Sequence, residues 1–341
     1  MIGEADGSAL LGGESALRAH FVKLGPTGAP DPSFGTNGIA AFDTFFAVRG
    51  VARQSTGKIV FAAWGSNVSF VVGRLEANGA IDKTFGEIGT GLVTVPIFGS
   101  AMGRGIVTDG STIWAVGGQA LVKIGAEGKL DTAFGKQGVV NPAVNSPGGI
   151  ARQADGKIVV WSTAPGGKVF RFDPATGAPD ATLGGGTGLA GADGFSAAHV
   201  TATPDGKLLV TWIDEKRTAI VLERRGADGS IDASFGQGGA VRETLAPVTT
   251  KIAERPSSVR LEDGRVALVT SEKDDVVVFL YDDRGVRVPS FGQAGRLSMQ
   301  KAGTPLAVRA PATVAGKTLF VAGIARVGST DGDFMLGRVA P

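Results

Sequence analysis

Three arginines occupy one place in a recurring pattern. Arg53, Arg152 and Arg260 each stand four residues ahead of a turn glycine, at Gly57, Gly156 and Gly264. A guanidinium is a planar fork that grips a carboxylate or phosphate through two hydrogen bonds. Three of them converging would hold a carboxylate, a phosphate or an acidic side chain of a partner. Taken up singly by neighbouring acids, they would only brace the chain. Trp64, Trp114, Trp161 and Trp212 close the same strand in four consecutive repeats, and at one rim they would form an aromatic platform for a glycan or a protein. They lie seven, four, five and six residues past their turn glycines, so their strand parity is mixed. Filling of space between repeats is the competing reading.

Other chemistry has little material. There is no cysteine, which removes disulfides, thiolate nucleophiles and zinc–thiolate sites. His20 and His199 are the only histidines, too few for a convincing triad or a histidine metal site. Ser15, in Gly12-Gly13-Glu14-Ser15, does not sit in a nucleophile elbow. The acidic groups Asp274-Asp275, Asp282-Asp283 and Asp331-Gly332-Asp333 lack the alternating ligand spacing of a calcium loop and read as solvated turns. No catalytic residue, metal or cofactor is therefore expected. A carboxylate pair assembled from distant repeats would leave no local trace, which keeps a polysaccharide hydrolase or lyase open as the alternative.

The elements that must carry these residues repeat along the chain. Asp31-Pro32-Ser33-Phe34-Gly35 returns around Asp82 and Phe85, Asp131 and Phe134, and Asp232 and Phe235. Worn copies hold Asp180 with Leu183 and Val288 with Phe291. Positions 34, 85, 134, 183, 235 and 291 give a period of 49 to 56 residues, the range of repeat arrays and propellers. Each period contains a glycine turn and an apolar strand, as in Gly57-Lys58-Ile59-Val60-Phe61 and Gly206-Lys207-Leu208-Leu209-Val210. A second strand, a second glycine turn and then the motif follow. Asp6-Gly7-Ser8-Ala9-Leu10-Leu11 opens a further copy. The expectation is an all-β, seven-bladed β-propeller with four antiparallel strands per blade, forming one domain over 1–341. Six blades with a separate N-terminal hairpin is the alternative. The pattern predicts that only the last blade lacks its fourth strand, leaving an edge open to neighbouring domains of a longer parent chain.

Lys and Arg total 34 against 32 Asp and Glu, so no basic face for nucleic acid is expected. No apolar run approaches the roughly 18–20 residues of a membrane span. Met1-Ile2-Gly3-Glu4 is not a signal peptide, and an exported protein would have shed its leader.

Eight residues before each motif aspartate stands a cation: Lys23, Arg74, Lys123 and Arg224. In the fourth copy the spacing is nine, from Arg171 to Asp180. Where the aspartate becomes Val288, the residue eight before it is Leu280. Joint loss of both partners marks a cation–carboxylate pair, because removing one alone would strand a buried charge. A ring of metal-binding carboxylates would not explain why the cation goes with the acid.

With motif and period in view, the chain resembles the delta-60 repeat proteins of bacteria, a propeller-like family. The resemblance rests on Pro204-Asp205-Gly206-Lys207-Leu208-Leu209-Val210 and on Asp228-Gly229-Ser230-Ile231-Asp232-Ala233-Ser234-Phe235-Gly236. Departures are Val288, Leu183 and Ala315. The resemblance implies export, to the periplasm, the cell surface or outside the cell, and a binding or scaffolding role; it brings no catalytic residues. The expected function is a non-catalytic binding or scaffold module that recognises a protein or glycan.

Overall fold

A computed structural model describes the chain except residues 16–17, 66–68, 98–101, 143, 145, 193, 247–255, 274, 301–305, 309 and 328–330. It contains seven antiparallel sheets of consecutive strands arranged as the blades of a propeller. The second blade shows the plan, with strands Gly50–Arg53, Ile59–Trp64, Phe70–Leu75 and Leu92–Val95 in that spatial order. Its first hairpin turns at Gln54 to Gly57, where Gly57 takes a φ of 84° that only glycine adopts without strain. The second and third strands are buried along nearly their whole length, because neighbouring blades cover both faces. This is why they read as continuous apolar runs rather than as an alternation. The fourth strand lies at the periphery and alternates, with Val93 and Val95 inside and Thr94 outside.

The seven-blade reading holds, because Ile2–Gly3 pairs with Ala9–Ser15 and makes the N-terminal hairpin a complete four-stranded blade. That excludes the six-blade alternative. The ring closes by packing of the seventh blade on the first, through a cluster of Ala9, Leu11, Phe320 and Ala322. In the seventh blade the innermost strand is broken into Leu306–Val308 and Thr313–Ala315, and Asp331–Val339 is the outermost strand.

The fourth blade differs from expectation. Its sheet has three strands, Pro147–Arg152, Ile158–Ser162 and Val169–Phe172, and Leu189 meets Val169 in an isolated bridge only. The cause is local: Gly184, Gly185, Gly186 and Gly188 all take positive φ, and a 3-10 turn occupies Gly184–Gly186. A stretch so rich in glycine has neither the side chains nor the backbone preference of a strand.

The motif binds blades to one another. Phe34, Phe85, Phe134 and Phe235 are fully buried, and Leu183 nearly so. Each motif carboxylate meets its cation: Lys23–Asp31 at 2.7 Å, Arg74–Asp82 at 2.6 Å, Lys123–Asp131 at 2.8 Å, Arg171–Asp180 at 2.8 Å and Arg224–Asp232 at 2.8 Å. The arginines reach further, donating from Nη1 to the next blade's turn, at Ala126 from Arg74, Ala227 from Arg171 and Asp283 from Arg224. In the sixth blade Leu280 and Val288 pack together in the core while the backbone bond from Val288 N to Leu280 O is kept at 2.9 Å.

Candidate functional site: the channel mouth

The first strand of each blade lines the axis, so its two ends face the two mouths of the channel. Arg53, Arg152 and Arg260 end their strands, and each faces an acid of the preceding blade. Arg53 meets Glu4 at 2.6 Å and Arg152 meets Asp109 at 2.5 Å. Arg260 faces Asp205: against a desolvation that would raise it, the Thr203 hydroxyl and then Arg260 hold that carboxyl below the ordinary range. These guanidiniums tie blade to blade at the first turns.

The tryptophans are mostly interior. Trp114, Trp161 and Trp212 are buried, with Nε1 donating to the Pro174 carbonyl, the Ala198 carbonyl and the Glu223 carboxylate respectively. Trp64 is half-buried with its ring edge-on to Phe46. They fill space between blades, and Trp161 also backs the opposite mouth. Of the acidic groups, Asp274 lies outside the described residues, and Asp331–Asp333 opens the last strand of the seventh blade. Asp282 turns inward on its own loop, accepting from Arg284 N and Val286 N.

The opposite mouth carries the unpaired cation. In three consecutive blades the first strand is bulged near its start, skipping Arg104, Gly148 and Ala198 in the pairing register. A bulge inserts an extra residue and re-aims its side chain. In the third blade that residue is Arg104, between two glycines packed against neighbouring strands. A Cβ on Gly103 would lie 2.7 Å from the Ala63 amide nitrogen, and one on Gly105 2.9 Å from Ile150. Close approach of the backbones thus fixes the arginine at the bulge. The bulged Ala198 carbonyl accepts the Trp161 indole at 3.2 Å and sets the wall beside it.

These residues line a cavity of about 280 Å³ that takes walls from five blades, including Arg104, Gly148, Trp161, His199, Arg217 and Pro256. No carboxylate is among its described lining residues. Arg104 has no ion-pair partner among the described residues, whereas Arg49 at the start of the neighbouring blade reaches Glu14 at 3.2 Å. Burial first, and then the Arg49 charge, push the Arg104 guanidinium below its ordinary pKa. His199 stands edge-to-face with Trp161, ring centres 5.2 Å apart, and burial lowers its pKa to about 4. Its imidazole is neutral at pH 7. The cavity is therefore a cationic, partly desolvated recess with an aromatic wall, suited to an anion carried on a larger molecule. The arginine fork at the far strand end was the candidate from spacing. Gly103-Arg104-Gly105, a cation between strand glycines, is the signal that points to this one.

Comparisons with known proteins place the fold and go no further. No curated protein sequence matches the chain. Among solved structures it is similar to the extracellular domain of a putative hybrid two-component system from B. thetaiotaomicron, at 11% identity and a TM-score of 0.53, covering 98% of this chain and 39% of that one. It is similar to Kluyveromyces lactis Hsv2 at 10% identity and a TM-score of 0.50, covering 99% of this chain and 96% of that one. A protein of unknown function from Bacteroides caccae matches at 12% identity and a TM-score of 0.48, over 86% of this chain and 99% of that one. At the level of sequence, residues 54–85, one blade from its first turn to its motif phenylalanine, match the model of a β-propeller domain of unknown function, DUF5122.

Proposed function

We propose that residues 1–341 act as one rigid recognition domain, and that the mouth around Arg104 receives an anionic group of a protein or glycan partner. The observation that carries this reading is a desolvated guanidinium facing a five-blade recess with no acid to neutralise it. Evolution commonly leaves such a charge where a ligand completes it, since an unpaired buried cation costs stability. A polysaccharide hydrolase would need two carboxylates flanking the bond to be cut. The described lining offers cations in their place, which supports binding over hydrolysis. No helix among the described residues is long and apolar enough to cross a membrane. Placement in the envelope or outside the cell rests on the resemblance to the delta-60 repeat proteins, and fractionation of the producing cell tests it.

The recognition reading is tested with two anionic probes, tetragalacturonate and a tetraglutamate peptide, titrated at low salt. At least one should bind saturably, and Arg104→Gln should weaken it about tenfold, the worth of one charge-assisted contact. Absence of saturable binding by either probe, or equal binding by the variant, overturns it.

A further inference from the structure

The outer edge of the seventh blade is shaped like every other blade's seat for the motif. Among the described residues, Asp331–Val339 pairs with Thr318–Val327 on one side and with no strand on the other. Arg338 lies opposite Phe320 in that ladder, as Lys123 lies opposite Trp114 in the third blade, so it holds the cation position of the repeat. Its Nη1 donates to the Pro26 carbonyl of the first blade. That is the bond Arg74, Arg171 and Arg224 make to the same turn position of their own following blades. Those three arginines each also grip a motif aspartate; Arg338 meets no carboxylate among the described residues. The sixth blade shows the alternative, where the aspartate is replaced by Val288 and the cation by Leu280. The seventh blade keeps its cation.

Two more surfaces at the junction match the rest of the motif. Phe34, Phe85, Phe134 and Phe235 lie against a turn glycine of the next blade. A Cβ on Gly79 would come within 2.8 Å of the Phe34 ring, and one on Gly128 within 3.0 Å of the Phe85 ring. The corresponding Gly28 of the first blade has the Arg338 guanidinium beside it and no ring. The glycine after each phenylalanine donates its amide to the next turn, from Gly35 to Asn78 at 2.8 Å and from Gly135 to Thr176 at 2.8 Å. Thr27, the counterpart in the first blade, accepts no such bond among the described residues. Beside the open edge runs a groove of about 560 Å³ with Phe291, Leu297 and Met299 in its wall.

We infer that this edge is the docking site for an extended segment of a partner protein carrying Asp-x-Ser/Thr-Phe-Gly. The carboxylate pairs with Arg338, the ring three residues on covers Gly28, the following amide donates to Thr27, and the residues beyond pair with Asp331–Val339 as a fourth strand. Main-chain bonds supply the affinity of such strand addition, and the side-chain seats supply the specificity.

A fluorescent peptide copying residues 226–244, the best preserved motif of the chain itself, is titrated against the intact protein and followed by anisotropy. Saturable binding is expected. Asp232→Asn in the peptide, or Arg338→Gln in the protein, should each weaken it about tenfold, with little further loss when combined, because both remove the same charge-assisted contact. Phe235→Ala in the peptide should weaken it as well. The peptide variants act on the unaltered protein, so the test stands even if Arg338→Gln folds poorly. The inference is overturned by absence of saturable binding at millimolar peptide, or by affinity indifferent to Asp232→Asn. A dimer of the chain, seen by light scattering and not dissociated by the peptide, also overturns it, since a second copy would then fill the edge.

Discussion

Replacing Asp82 with valine should cost the protein about 3–5 kcal/mol, and replacing Arg74 with leucine in the same molecule should return much of that loss. Asp82 is 1% exposed and accepts from Arg74 Nε at 2.6 Å, Lys58 Nζ at 2.7 Å, and the Thr84 hydroxyl and amide at 2.6 and 3.0 Å. The carboxylate is thus the sole anion at the meeting point of two cations. Removing it leaves Arg74, itself buried, with only the Ala126 carbonyl on Nη1. Desolvating a guanidinium without a counter-charge is the large term. Lys58 is less critical, being partly exposed and still within 3.0 Å of Glu76. The chain already contains the repaired arrangement: Leu280 and Val288 pack in the core of the sixth blade around the same backbone bond. Asp82→Val/Arg74→Leu copies it into the second blade. Urea unfolding followed by tryptophan fluorescence reads both variants. A double variant as unstable as the single one would show that the cost lies in the lost carboxylate contacts rather than in the stranded arginine.

That pair also shows why the fold is legible in the sequence while the site is not. A period of about fifty residues is dictated by backbone requirements that recur unchanged in each blade. Gly57, Gly156 and Gly206 take φ values of 84°, 90° and 81°, so the glycines cannot drift. The cation and the carboxylate vary together because each is buried against the other. Such constraints leave a mark at fixed spacing. The channel mouth arises from the opposite circumstance. Arg104, Trp161 and His199 come from three blades and occur once each, and a bulge of one residue rather than a repeated motif brings Arg104 into the recess. Periodicity is blind to what happens once. It led instead to Arg53, Arg152 and Arg260, whose regular spacing reflects a regular structural task, the blade-to-blade ties to Glu4, Asp109 and Asp205. The fourth blade gives the same lesson in reverse: the worn motif at Leu183 was visible, but the loss of the strand after it depends on four glycines acting together.

Acidification from pH 6.5 towards pH 4 should destabilise the protein by up to about 3 kcal/mol through His199 alone, before any motif carboxylate is protonated. Burial lowers the His199 pKa from 6.5 to about 4. Between those values the unfolded chain binds a proton that the native imidazole does not, so stability rises with pH across this window and levels off above it. The imidazole packs against Trp161, the Thr201 hydroxyl lies 3.4 Å from Nδ1, and the cavity it adjoins adds Arg104 and Arg217 and no described carboxylate. Nothing there welcomes an imidazolium. The motif aspartates act lower on the scale. In Asp82 and Asp180 the hydrogen bonds and cations outweigh a desolvation that would raise the pKa, while in Asp232 the Lys207 bond leads; all three are held far below the ordinary carboxylate range. Their stabilisation is complete above about pH 4 and is lost only as the pH falls further. The two windows therefore separate. Thermal melts of the protein and of His199→Gln, taken from pH 4 to pH 7.5, should show a slope in the first that is flattened in the second. An unchanged slope in the variant would assign the titration to another group and would remove the evidence that the recess is dry enough to keep a histidine neutral. An anion bound beside Arg104 should meanwhile ease protonation of His199 and raise its pKa, so that the same melts repeated with a bound probe would show a shallower slope.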